Sequence, residues 1–171
     1  MSNIINDKEK AMIAIQNDAW AFENVSDDLK SDREIIMAAL SSGPSVFLSL
    51  LADHHKKDRE IVMAAVNSDG DALEYTSDDL KKDREIVMAA ANSDAYVLAY
   101  VSDDLTKDRE IVMAAVSSDG SVLQYASEDL KKDREIVMAA VNSHGDALEY
   151  ASDDLKKDKD FLEFIDKLNT T

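Results

Sequence analysis

No cysteine occurs in the 171 residues, which removes disulfide frameworks, thiolate metal sites and cysteine nucleophiles together. One proline and four glycines leave few points at which a helix must break, and a hydrophobic content of 45% sets the chain apart from disordered and collagen-like compositions. Lysine and arginine total 19 against 36 aspartates and glutamates, a formal charge of −17. A field of that sign repels phosphate backbones and anionic headgroups, so nucleic acid is not an expected partner. No stretch approaches the roughly 18 consecutive apolar residues of a membrane span, and "MSNIINDKEK" has no basic segment followed by an apolar one. A cytoplasmic location is the expectation.

What the chain has instead is repetition. "DREIVMAAVNSDGDALEYTSDDLKK", residues 58–82, returns at 133–157 as "DREIVMAAVNSHGDALEYASDDLKK". Copies begin at Asp7, Asp32, Asp58, Asp83, Asp108 and Asp133, numbered 1 to 6 below, and a shorter segment begins at Asp158. A fixed period of this length marks stacked units, each of which covers the apolar face its neighbour leaves open and none of which has core enough to fold alone. The prediction is an all-α solenoid over residues 1–171. It has six helical-hairpin copies of about 25 residues and a capping helix in 158–171.

In copy 3, Asp58 is an N-cap with Glu60 in the first turn, where the helix dipole favours a carboxylate. Ile61 to Val66 is apolar almost all the way round, which predicts a helix covered on several sides and ending near Asp69. Gly70, Gly120 and Gly145 occupy the next position, where a positive φ closes a helix, and Ala95 takes that slot in copy 4. Ala72, Leu73 and Thr76 then predict a short amphipathic helix of about two turns. Ser77-Asp78-Asp79-Leu80 predicts a capped single turn with Ser77 accepting from the backbone. Phe161, Leu162, Ile165 and Leu168 form the apolar stripe of the last helix.

The series "DREIVMAAV", glycine, "ALEYAS" and "DDLKK" resembles a family of short helical repeats of unknown function, over roughly residues 7–160. The resemblance implies a helical repeat and partner binding, and it brings no catalytic residues. It also implies an alternative location, non-classical secretion as an effector. Copy 2 departs from the pattern: "SSGPSVFLSLLADHHKK" carries an extra residue, the only proline, Pro44, and His54-His55 in place of Asp-Leu. Local bending of the array is expected there.

Candidate sites divide by how specific they are. Tyr75, Tyr100, Tyr125 and Tyr150 share one slot and are expected as half-buried rings before any stacking stripe. The acidic pairs Asp27-Asp28, Asp78-Asp79, Asp103-Asp104, Glu128-Asp129 and Asp153-Asp154 lack the loop that converges oxygens on calcium, and pairing with Arg59, Arg84, Arg109 and Arg134 is expected of them. Adjacent histidines point about 100° apart on a helix, so His55 is expected as a partly buried structural residue in a leucine slot, and His144 as an exposed substitution for aspartate. No Gly-rich phosphate loop, Gly-x-Ser-x-Gly elbow or His-Glu-x-x-His pair occurs. The expectation is a non-enzymatic protein with no metal and no cofactor.

The copies differ most at two positions three apart on the second helix. They hold Trp20 and Glu23, Val46 and Ser49, Asp71 and Glu74, Tyr96 and Ala99, Ser121 and Gln124, and Asp146 and Glu149. A variable face on a constant scaffold points to partner binding, with Trp20, Val46, Asp71, Tyr96, Ala99, Ser121 and Asp146 as its residues. The competing explanation is drift at unconstrained solvent positions, and for Trp20 a cover of Ile4 and Ile5. The expected partner is another protein with a basic surface, bound by a monomer or a weakly self-associating chain. The alternative is a structural spacer or self-assembling unit without a specific ligand.

Overall fold

The computed structural model of the chain describes residues 4–168, apart from the side chains of Ser42 and Leu168. Leu168, expected in the last apolar stripe, therefore lies outside the described side chains. Among the described residues every regular element is helical, and strand-type pairing is confined to an isolated bridge between Ile5 and Val25. The α-helices are α1 (Lys8–Asn17), α2 (Arg33–Ser42), α3 (Arg59–Ser68), α4 (Arg84–Ser93), α5 (Arg109–Ser118), α6 (Arg134–Ser143), α7 (Asp153–Lys157) and α8 (Lys159–Leu168). Helices α1 to α6 open the six copies. The chain divides into two compact units between Ser93 and Asp94.

Each copy starts where an aspartate caps a helix. Asp58 Oδ1 accepts from the Glu60 amide at 3.0 Å and the Ile61 amide at 3.2 Å. Asp32, Asp108 and Asp133 do the same in their copies, a contribution of about 1 kcal/mol per cap. Helix α3 ends at Ser68 because Asp69 is extended, with φ −154° and ψ 113°. The Asp69 amide closes the last turn on the Ala65 carbonyl, while its carboxylate accepts from the Asp71 amide at 3.2 Å and starts the next helix. One residue thus makes the corner of the hairpin.

That second helix differs in type from the two-turn α-helix the apolar spacing predicts. It is a 3-10 helix at Ala19–Asn24, Ser45–Leu50, Gly70–Tyr75, Ala95–Ala99, Gly120–Tyr125 and Gly145–Tyr150. Five or six residues held between two fixed ends are too few for two α-turns, and the tighter winding of about three residues per turn fits. Ala72, Leu73 and Thr76 are buried, as their spacing predicts. The glycines play another part than expected, since none among the described residues has a positive φ. Gly120 is needed for close approach: a Cβ built there would fall inside the Ala140 carbonyl of α6, whereas at Gly145 a Cβ would meet nothing within 4 Å.

In each repeated α-helix one broad face is covered. Ile61, Val62, Ala65 and Val66 are buried, but Met63 and Ala64 are only half-buried, so the helix is not enclosed on all sides. Copy 2 absorbs its extra residue at the corner, where Gly43 ends α2 and Pro44 precedes the 3-10 helix. Pro44 offers no capping side chain, and Asp69 of the next copy accepts the Ser45 amide at 3.1 Å instead.

Charged clamps run from one helix start to the next. Before residue 94, Lys8 reaches Asp32 at 2.8 Å and Glu34 at 2.7 Å, Arg33 holds Asp58 at 2.6 Å together with Glu60, and Arg59 holds Asp83 at 2.8 Å together with Glu85. After it, Arg109 holds Asp133 at 3.0 Å and Glu135, and Arg134 holds Asp158. The acidic pairs predicted as partners of these arginines are exposed and meet lysines three residues on, as in Asp104–Lys107 and Glu128–Lys131. The arginine is the first residue of its helix and faces the adjoining copy's cap, which a within-copy pattern does not reveal. Such solvent-exposed pairs add little to stability, and they join the start of each helix to that of the adjoining copy.

The connecting turns add a backbone tie, with the Ser77 amide donating to the Lys56 carbonyl at 3.1 Å and the Ser152 amide to that of Lys131 at 2.9 Å. The Ser77 hydroxyl, predicted as a cap, is instead buried without a hydrogen-bond partner among the described residues. In α8, Phe161 and Ile165 are buried and Leu162 half-buried, while Phe164 is exposed. Lys10 stands in the slot that Ile61 fills in copy 3, and Asp166 in that of Val141. The outermost helices are thus more polar than the inner ones.

Candidate functional site

In a 3-10 helix residues three apart eclipse each other, so the two variable positions of each copy stand one above the other more strictly than in an α-helix. The corner aspartate aims this face outward by fixing the first turn: Asp18 accepts the Trp20 amide at 3.0 Å and Asp94 the Tyr96 amide at 2.9 Å. The following two residues of each copy turn inward, as buried Ala72 and Leu73 do beside exposed Asp71 and Glu74.

Before residue 94 the row pairs Trp20 with Glu23 in copy 1, Val46 with half-buried Ser49 in copy 2, and Asp71 with Glu74 in copy 3, and Leu50 of the tyrosine slot stands next to it. Trp20 is 50% exposed, Val46 36% and Leu50 48%. The indole stands edge-on to Phe47, with ring centres 5.1 Å apart and planes at 85°, and Phe47 in turn lies 5.6 Å from Phe22. Both phenylalanines are fully buried, so Trp20 is the outer member of an aromatic stack rooted in the core. Ile4, its cover in the competing explanation, is itself exposed, and Ile5 bridges to Val25. Glu23, Asp71 and Glu74 are exposed along the same row.

After residue 93 the row is mostly polar. Tyr96 is 44% exposed, and its hydroxyl lies 3.3 Å from Ser121 Oγ of the next copy. Ala99 and Asp146 are exposed and Ser121 is half-buried. The structure therefore places all seven predicted residues on the outer side of the 3-10 helices and brings Tyr96 and Ser121 together. Two contributors escape the sequence pattern. Leu50 sits in the slot that tyrosine fills later, and Phe47, which positions Trp20, sits where other copies have alanine or valine.

The remaining candidates are structural in their surroundings. The four tyrosines of the shared slot are half-buried; burial pushes the Tyr75 phenol up, and the Glu149 carboxylate does so for Tyr150. His55 is buried and its Nε2 has no partner among the described residues. Burial, then the His54 ring 3.9 Å away, pushes the His55 imidazole down. His144 is exposed, and its Nδ1 accepts the Gly120 amide at 3.2 Å, so it also ties two copies together. Among the described residues no three histidine, aspartate or glutamate side chains are grouped to hold a metal ion, and no helix is long and apolar enough to cross a membrane.

The sequence model of a family described as Domain of unknown function (DUF4116) matches residues 7–51, 58–106, 108–156 and 138–165. The first three matches each span most or all of two copies, and the fourth overlaps the third and runs into the last helix. Neither a curated protein nor a solved structure matches the chain.

Proposed function

For a chain that belongs to this family of domains of unknown function, we propose a non-enzymatic role as a helical repeat scaffold that binds another protein through the outer row of its 3-10 helices. The observation that supports it most is the exposure of Trp20, Val46 and Leu50 on consecutive copies whose inner residues Phe22, Phe47 and Leu48 are fully buried. An indole seated on a buried aromatic pair loses little conformational freedom on binding, which is what makes such residues anchors. The formal charge of −17 favours a partner with a basic surface and speeds its encounter. A cytoplasmic location accords with a chain that lacks cysteine, and non-classical secretion as an effector remains the other route.

Self-assembly end to end receives less support, because Lys10 and Asp166 put charge where inner copies present apolar side chains. Affinity capture on the tagged chain at low and high salt, beside Trp20→Ala and Tyr96→Ala variants, tests the proposal. A stoichiometric partner that is lost with either variant while the fold melts unchanged supports it. Equal retention by both variants, or capture of the chain's own copies alone, overturns it.

A further inference from the structure

We propose that the row formed by copies 1 and 2 recognises an arginine carried by an amphipathic basic segment of another protein, an inference that rests on the binding role above. Trp20 offers a half-exposed indole held in place by Phe47, 5.1 Å away. One 3-10 turn further, Glu23 stands on the same side of the helix. Among the described residues no cation pairs with the Glu23 carboxylate; the nearby Lys30 ammonium is engaged by the Glu23 backbone carbonyl at 3.0 Å and lies 6.0 Å from the Phe22 ring. An aromatic surface beside an unpaired carboxylate suits a guanidinium, which stacks on the ring and donates to the oxygens at once, whereas an ammonium is a more strongly hydrated point charge.

The chain uses the same combination internally. The Arg134 guanidinium lies 5.4 Å from the Phe161 ring centre while it pairs with Asp158. Beyond Trp20, Val46 and Leu50 supply apolar contact about one helix-packing distance away, roughly 10 Å. Acidic Asp71 and Glu74 follow in copy 3. The complementary segment therefore carries an arginine first, aliphatic side chains next and further basic residues after them. Copies 1 to 3 then extend over two such steps, roughly 20 Å, which a helix of about 12 residues at 1.5 Å per residue nearly spans.

Trp20 is the only tryptophan, so its emission reports the site directly. The test titrates the whole chain with three synthetic peptides of about 12 residues, leucine at helical spacing and arginine, lysine or glutamate at the other positions. The arginine peptide is expected to shift the emission and bind about 5-fold more tightly than the lysine peptide, the factor that about 1 kcal/mol gives. Glu23→Gln is expected to abolish that advantage, and Trp20→Leu, followed by calorimetry, to weaken the arginine peptide by at least that factor. The glutamate peptide should not bind. Equal affinities for arginine and lysine, or an advantage that survives Glu23→Gln, overturn the arginine assignment and leave protein binding by this row intact. No binding of either basic peptide overturns the assignment as well. Basic peptides that bind Trp20→Leu as tightly as the parent overturn both the assignment and the row as the binding face.

Discussion

Copies 1 and 2 and copies 5 and 6 are built on one plan but use it differently. All have a 10-residue first helix capped by aspartate and a six-residue 3-10 helix. Copies 5 and 6 keep small or polar residues on the outer row. Copies 1 and 2 hold the three fully buried or half-exposed rings Phe22, Phe47 and Trp20, the proline, the extra residue, the buried histidine and exposed Ile13, Val46 and Leu50. The difference teaches that the regular copies show what the fold requires, and that the irregular ones show what has been added to it.

Substitutions at matched slots separate the two. Phe47→Ala should be the most damaging, since it empties a slot that the later copies fill with alanine or valine but around which Trp20 and Phe22 have packed. A loss of about 3–5 kcal/mol in denaturant unfolding, with red-shifted Trp20 emission, is expected. Gly120→Val should cost about 3 kcal/mol by forcing α6 away, while Gly145→Val, with open space beside it, should change stability by less than about 0.5 kcal/mol. If the two glycine variants melt together, the close approach at Gly120 is not what selects glycine.

Acid titration sharpens the comparison further. Burial depresses the folded-state pKa of His55 below its ordinary 6.5. The unfolded chain therefore takes up that proton first, and stability falls as pH drops below 6.5 until the folded form also protonates. His55→Leu, which restores the residue of the other copies, should remove this drop, visible as a smaller loss of melting temperature between neutral and mildly acidic pH. The Asp58 carboxyl is held below its ordinary 3.8, first by Arg33 and then by the helix amides, against the upward push of burial. Its contribution is present above 3.8 and disappears as pH falls through the lower folded value. Asp58→Asn keeps the cap and loses the clamp, so a cost of up to about 1 kcal/mol at neutral pH and a flatter acid limb are expected.

The period, the aspartate caps and the limits of the first helix were legible in the sequence because each is local: Asp58 to Asp69 carries its own start, face and stop. The 3-10 winding was less legible, since Ala72, Leu73 and Thr76 bury the same side in either helix type and only the distance between the corner and the next turn decides. Arg59 and Gly120 find their partners about a full copy away, so nothing inside one copy points to them. For the outer row, variation among copies located Trp20, Val46 and Tyr96. The dependence of Trp20 on Phe47, and the exposure of Leu50, are properties of packing between copies 1 and 2.

The most direct measurement compares partner retention by two outer-row variants of matched stability, Trp20→Ala/Leu50→Ala in copies 1 and 2 and Ser121→Ala/Asp146→Ala in copies 5 and 6. Loss of the partner in the first with retention in the second is the result expected if the irregular copies carry the binding. Retention in the first, or equal loss in both, would contradict it.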